Sequence, residues 1–254
     1  MATAGVDEHF KADFDRNGFV VIPGFLAAED FAELRHNLDR YIREVVPGLS
    51  DGDAFYECRE QPETLKQLQR MSGDPYFADY RFHPRWVALA ETLLGEPANA
   101  EPPEWFNKPP RTNHVTPPHQ DNYYFCLTPP SVLTIWLALD DVDAENGCLR
   151  FVAGSHRRGY RAHCTSAILG FSQGINDYAA ADFVQEVAAP VRAGDAVVHS
   201  GMTIHRADAN LSLTRQRRSF AMVFKGVSCQ RDEAAYGRYR AAARQQRKEL
   251  GLKA

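Results

Sequence analysis

The sequence predicts a mainly β protein, a sandwich or barrel with helical flanks, and three observations point there. After Glu101 the chain breaks into short β-rich runs, "VLTIWLAL", "CLRFV", "DAVVH" and "RSFAMVF", separated by clusters of Pro, Gly, Asn and Asp. No helical pattern intervenes between these runs, which argues against βαβ units and a parallel sheet. The helical periodicities lie towards the two ends. With 254 residues and neither an internal repeat nor a low-complexity linker, one domain is expected over 1–254. Its parts are a helical N-terminal flank at 1–100, the β core at 101–228 and a C-terminal helix at 229–254.

Residues 19–22, "FVVI", are a β-branched run closed by Pro23 and Gly24, which reads as a strand and turn. From Asp30 the pattern turns helical: Phe31, Leu34, Leu38, Tyr41, Ile42 and Val45 recur at three- and four-residue steps and make one apolar face. A second helix fits 84–94, with Pro84 in its first turn, Trp86, Leu89, Leu93 and Leu94 inward, and Gly95 as its stop. The tail from Asp232 to Leu250, rich in Ala, Arg, Gln and Lys, reads as an exposed helix whose charges form a solvated face.

Composition narrows the function. A chain 44% hydrophobic and 24% charged buries an ordinary globular core. The formal net charge of −4 gives no reason to expect nucleic acid or an anionic membrane as partner. No apolar run approaches the roughly 20 residues of a membrane span. The start, "MATAGVDEHFKADFD", lacks a signal pattern. Cys58, Cys126, Cys148, Cys164 and Cys229 are odd in number and lack CxxC spacing, so neither a disulfide framework nor a zinc ribbon is indicated. A reduced, cytoplasmic protein with a small-molecule partner is expected; oligomeric state is open.

The stretch "TPPHQDNYYF" carries the chemistry. In an extended strand His119 and Asp121 project to one face and Gln120 to the other. A histidine nitrogen and a carboxylate oxygen on one face are two members of the facial triad that holds non-haem Fe(II). Alone, the same pair also reads as two polar residues on a wet strand. "RAGDAVVHSGMTIHRADANLS" then offers a Gly-Asp turn, a strand and His205 before a polar loop. An iron on His119, Asp121 and His205 keeps positions for a bidentate keto acid and dioxygen. The keto acid's far carboxylate calls for an arginine, and "TRQRRSFAMVF" supplies several.

The ordered fragments "NGFVVIPGFL", "NKPP", "HQD", Trp136 followed by "ALDDVDAENGCLRFVAGSH", "GD" at 194–195, and His205 with Asn210 and Ser212 resemble the phytanoyl-CoA dioxygenase family. That family comprises Fe(II)- and 2-oxoglutarate-dependent oxygenases. The resemblance implies a double-stranded β-helix, a cupin-like jelly roll, with iron inside one end. It implies Fe(II), 2-oxoglutarate as cosubstrate and O2, with ascorbate as reductant in vitro. The implied reaction hydroxylates an unactivated C–H bond and releases succinate and CO2. Desaturation or cyclisation on the same site, and a non-catalytic jelly roll that only binds metal and 2-oxoglutarate, are the alternatives. A halogenase of this fold would lack the carboxylate, and Asp121 is present.

Two departures from the family pattern stand out. The family's stretch before the distal histidine often reads F-H-x-x-x-x-H, whereas His199 is displaced by one position, so a supporting or structural role is expected for it. The family's arginine commonly falls about eleven residues after that histidine, where Gln216 stands. Strand phase selects Arg217 instead. Arg217, Ser219, Ala221 and Val223 share one face lined by small side chains, and Arg218, Phe220, Met222 and Phe224 share a bulky apolar one. Arg217 also precedes Phe224 by seven residues, as the family's arginine precedes a strand-ending aromatic. Ser219 would add a hydroxyl to the cosubstrate. Lys108 either neutralises a carboxylate or is a turn lysine in solvent. The resemblance sets Trp136 against 2-oxoglutarate; core packing is the alternative. Tyr123, in phase with the ligands, is read as cavity lining or aromatic core, and Arg157, Arg158 and Arg161 as solvent-exposed. The loops at 50–82 and 157–182 carry no motif that names the substrate.

Overall fold

The computed structural model describes residues 7–166 and 173–249. In chain order the helices are α1 (Asp7–Asn17), α2 (Ala28–Glu44), α3 (Pro75–Tyr80), α4 (Pro84–Leu94), α5 (Asn122–Phe125), α6 (Ala180–Phe183) and α7 (Glu233–Glu249). The strands begin with β1 (Phe19–Ile22), β2 (Ala54–Tyr56), β3 (Leu65–Leu68), β4 (Ala98–Ala100) and β5 (Glu104–Lys108). Then come β6 (Thr116–His119), β7 (Leu127–Thr128), β8 (Val132–Ala138), β9 (Leu149–Val152), β10 (His163–Thr165) and β11 (Gln173–Ile175). The last are β12 (Glu186–Ala189), β13 (Ala196–Ser200), β14 (His205–Ala207), β15 (Arg217–Gly226) and β16 (Gln230–Arg231).

An eight-stranded antiparallel sheet runs β1-β13-β8-β15-β5-β3-β2, with β4 paired to β15. A four-stranded sheet, β12-β9-β14-β6, lies against it. Together they are a jelly roll. The larger sheet is buried on both faces, which is why its strands read as nearly unbroken apolar runs. Leu133, Ile135 and Leu137 of β8, with Phe220, Met222 and Phe224 of β15, pack outward under α2, α3 and α4, around Leu34, Phe77 and Trp86. The alternate residues Trp136, Ala138 and Ala221 point inward and meet Leu149, Phe151 and Ala207 of the smaller sheet. The face of β15 expected to pack is the one that does.

Helix α2 buries Leu34, Leu38 and Tyr41, and α4 begins with Pro84 and ends at Gly95, which takes φ 75° as a left-handed cap must. The N-terminal flank differs from expectation. Residues 1–100 are not only helical: beside the expected strand β1, three further strands, β2 to β4, join the larger sheet. Strands β2, β3 and β4 have three or four residues each, too short for alternation to stand out from loop sequence. No helix among the described residues is long and apolar enough to cross a membrane.

Candidate metal centre

Strand β6 ends at His119, and β14 begins at His205 directly opposite it in register. The two rings therefore meet as a cross-strand pair, centroids 4.2 Å apart. Each is oriented by its own strand. His119 Nδ1–H donates to the Pro117 carbonyl at 2.7 Å, and His205 Nδ1–H to the Thr203 carbonyl at 3.0 Å. A carbonyl only accepts, so both rings carry a proton on Nδ1 and turn Nε2 inward, the atom a metal takes.

Asp121 reaches the same point by another route than the expected strand face. The strand stops at His119, and Asp121 is already in the right-handed helical region, φ −56° and ψ −38°, at the head of α5. Asn122 N–H donates to the Gly201 carbonyl at 2.8 Å and draws the chain into that turn. A Cβ on residue 201 would stand 2.7 Å from the Val132 side chain, so this close approach needs Gly201. Gln120 does not face away into solvent. It is fully buried, donates to the carbonyls of Met202 (2.9 Å) and Gly159 (3.0 Å), and accepts from Arg161 N–H (2.9 Å). Its backbone N–H donates to His163 Nε2 at 3.1 Å. Tyr123 is likewise out of strand phase and stacks on His163, centroids 3.9 Å apart.

The Asp121 carboxylate is divided between two tasks. Oδ1 lies 3.4 Å from His119 Nε2 and 3.6 Å from His205 Nε2. Oδ2 accepts from Thr134 Oγ1 at 2.8 Å and faces His199 Nε2 at 3.1 Å. His199 thus braces the carboxylate from the larger sheet, the supporting role expected of it. His119, Asp121 and His205 are the one His/Cys/Asp/Glu cluster of metal-binding geometry among the described residues, with ligating atoms all within 4.8 Å. Donors at right angles on bonds of about 2.1 Å stand about 3 Å apart, so the set fits a divalent first-row ion with little movement. Burial, reinforced by His199 and His119, pushes His205 well below the ordinary imidazole range and keeps it neutral. Burial alone would raise Asp121, but the three imidazoles outweigh it and hold the carboxyl well below its usual range. A neutral imidazole and an ionised carboxylate are the forms that ligate.

Two cavities adjoin the cluster, and both are walled in part by His119, Asp121 and Thr134. The first, about 130 Å³, ends at Arg217, Lys108 and Trp136. Arg217 is 4% exposed, sits opposite Lys108 in register, and lies 5.6 Å from the Trp136 ring. Its Nε has no hydrogen-bond partner among the described residues, and burial drags the guanidinium down to about 10. Arg206, on the same wall, is committed to Glu186 and Asp208. Arg215 pairs with Asp143 and Glu145, and Arg218 with Asp140. Lys108 is not a turn lysine in solvent, and among the described residues it has no carboxylate partner. It is 5% exposed and donates to the carbonyls of Asp208 (2.7 Å), His114 (3.2 Å) and Ala207 (3.4 Å). Ser219 stays outside the cavity wall: it is fully buried across from Phe106 and Ala138, its hydroxyl without a partner.

The second cavity, about 210 Å³, is walled by Gln67, Gln69, Glu104, Tyr124, Phe125 and Tyr239 besides the shared residues. Burial raises Glu104 to about 7, opposed by the Gln67 side chain and reinforced by Asp121. Neither Thr134 nor Glu104 stood out from sequence as a site residue. Thr134 was detectable as the one polar residue of "VLTIWLAL", in phase with Trp136. Glu104 opens β5, inside the stretch expected to be β core, and no signal marked it. Arg161 pairs with Asp177 and Asp182, Arg157 donates to the Arg16 carbonyl and Arg158 to Gln185, so these arginines hold the loop and wall neither cavity.

Comparison with known proteins agrees with this geometry. The family model described as phytanoyl-CoA dioxygenase (PhyH) matches residues 14–219. The rat protein "Phytanoyl-CoA dioxygenase domain-containing protein 1" is 32% identical over 243 residues, covering 78% of this chain and 83% of its own. Rice "Phytanoyl-CoA dioxygenase 1" is 28% identical over 250 residues, covering 84% and 87%. Among solved structures, the epimerase SnoN in complex with Fe3+, alpha ketoglutarate and nogalamycin RO superposes with a TM-score of 0.70 at 26% identity, covering 87% of this chain and 84% of that one.

Proposed function

Because the chain belongs to the phytanoyl-CoA dioxygenase family of Fe(II)/2-oxoglutarate oxygenases, we propose that it hydroxylates an unactivated C–H bond of a small molecule. The balance is R–H + 2-oxoglutarate + O2 → R–OH + succinate + CO2. His119, Asp121 and His205 would hold Fe(II), which supplies the oxygen activation and redox chemistry that side chains lack. The protein's own contribution is positional. Pro117 and Thr203 carbonyls aim the imidazoles, while Thr134 and His199 fix one carboxylate oxygen and leave the other to the metal. Arg217 would grip the far carboxylate of 2-oxoglutarate, with Trp136 beneath it and Lys108 adding positive field. Ser219, off the cavity wall, is given no contact in this reading.

One observation carries the proposal: a buried guanidinium, without a carboxylate partner among the described residues, closes a cavity whose other end is the triad. Such a charge is costly to bury unpaired, and an anionic ligand relieves the cost. The test is a turnover screen with 2-oxoglutarate across acyl thioesters, amino acids, osmolytes, phosphonates and natural-product scaffolds, reading product mass. Succinate with a product heavier by one oxygen is expected, lost on chelation and restored by Fe(II) with ascorbate, while Zn(II) inhibits. A product of unchanged mass, as an epimerase makes, or one short of two hydrogens, would refute hydroxylation and keep the oxygenase class. Full activity with Zn(II) alone would refute both.

A further inference from the structure

Strand β5 presents Glu104, Phe106 and Lys108 to the inside of the roll, because its alternate residues Trp105 and Asn107 turn the other way, Trp105 into the helix-covered core. In register Lys108 lies across from Arg217, whereas Glu104 lies across from Ala221. One strand face therefore carries a cation at one end and a carboxylate at the other, roughly 13 Å apart at the rise of an extended chain. The cationic end belongs to the first cavity and the anionic end to the second.

Glu104 forms no ion pair among the described residues, although carboxylates elsewhere in the roll, such as Asp140, Glu186 and Asp208, are each matched by an arginine. No lysine or arginine stands on the wall of its cavity. That wall instead offers aromatic rings, Phe106, Tyr124, Phe125 and Tyr239, beside the amides of Gln67 and Gln69. Tyr124 is fixed there by donating its hydroxyl to the Gln173 carbonyl at 2.5 Å and by packing edge-on to Tyr239. Glu104, ionised above about 7 and set among aromatic faces, recognises a cation by direct charge and by the negative faces of the rings. An anionic group brought there would meet Glu104 and Asp121 together.

We propose that the second cavity is the substrate site and that the substrate carries a cationic nitrogen, a protonated amine, seated on Glu104 between the aromatic walls. This rests on the oxygenase reading for what happens next, since the wall shared with the triad sets carbons near that nitrogen beside the metal ligands. Glu104 fixes which end of the substrate enters, and thereby which carbon is offered.

The experiment uses three isosteric probes, n-butylammonium, n-butanol and butyrate, titrated by calorimetry into anaerobic protein loaded with Fe(II) and 2-oxoglutarate. Wild-type protein should bind butylammonium at least tenfold more tightly than butanol, with butyrate weakest, as a charged hydrogen bond implies. Glu104→Gln should bring butylammonium down to the level of butanol. Absence of saturable butylammonium binding, equal binding of butanol in wild type, or a preference that survives Glu104→Gln overturns the proposal. The wild-type ranking stands whether or not the variant folds. Iron titration reports separately: a protein that prefers the ammonium yet takes up no Fe(II) keeps the cation site and loses the oxygenase reading.

Discussion

The two cavities share His119, Asp121, Thr134, Phe106, Gln67 and Ala221, yet they are built for opposite signs. On one side stand Arg217 and Lys108, both buried; on the other stands Glu104; among the described residues neither cation is paired with a carboxylate and Glu104 is paired with no cation. A small shift along two paired strands, β5 and β15, produces the contrast. In the reading proposed above, one metal cluster would serve two ligands by standing between two fields, each of which disfavours the other's partner. If so, damage to the cluster should silence both sides, and damage to either wall should silence one.

The largest effect belongs to the shared cluster. His119→Ala or His205→Ala should remove most Fe(II) binding, since a pair of remaining ligands makes a weak, open site. Metal analysis after equilibration checks it, and stoichiometric iron retained at micromolar metal would count against the triad. Asp121→Ala should keep some iron and lose hydroxylation. Next comes the cationic wall alone. Arg217→Ala should raise the 2-oxoglutarate requirement tenfold or more, the loss of a charged hydrogen bond of about 1.5–3 kcal/mol, with iron binding intact. Arg215→Ala should leave that requirement unchanged, because its guanidinium is spent on Asp143 and Glu145 at the surface. The reverse outcome would transfer the cosubstrate role to Arg215.

The two walls also differ in how much of them the sequence revealed. The inward placement of Arg217 was legible because β15 is ten residues long and alternates cleanly, so strand phase separated it from Arg218. His119 and His205 were legible from motif order. The geometry of Asp121 was not: a strand reading of "HQD" places both ligands on one face, but the carboxylate arrives there through a helical turn that a contact with Gly201 enforces. Sequence pattern sees periods, and a turn held by a contact 79 positions away has none. Ser219 shows the converse limit, since correct phase put it on the right face but not on the cavity wall. Gln67 lies on a short strand in the region read as helical flank and Glu104 on a five-residue strand at the start of the β core, so the anionic wall was missed entirely.

A smaller effect is expected at Thr134, which walls both cavities. Thr134→Val keeps the shape and removes the hydrogen bond to Asp121 Oδ2. Loss of an outer hydrogen bond to a ligand should weaken Fe(II) about tenfold. The apparent affinity for 2-oxoglutarate should fall with it only at limiting iron. A change confined to one cavity would contradict the shared-wall description.

The smallest effect tests the brace behind that wall. His163 stands outside both cavities and holds the turn between the ligands. Its Nδ1–H donates to the Arg161 carbonyl at 2.9 Å, and its Nε2 accepts from the Gln120 backbone N–H at 3.1 Å. That arrangement requires the neutral ring, and burial lowers it to about 4, the carbonyl of Arg161 opposing and His119 assisting. The unfolded chain protonates near 6.5. Between those limits the unfolded state holds the extra proton, so stability from this group is complete above about 6.5 and is lost as pH falls towards 4. From pH 7 to pH 5 the linkage limit is about 2 kcal/mol, and partial exposure of the ring reduces it to about 1 kcal/mol. Urea titrations at the two pH values should show that much more loss in wild type than in His163→Gln, which cannot titrate. Protonation breaks the Gln120 contact, and the turn carries both His119 and Asp121. Fe(II) and 2-oxoglutarate binding should therefore weaken together below pH 5, whereas butylammonium binding falls already as pH drops through about 7 and Glu104 protonates. Loss of 2-oxoglutarate affinity well before that of Fe(II), in protein kept saturated with iron, would mean that this turn is not their common support.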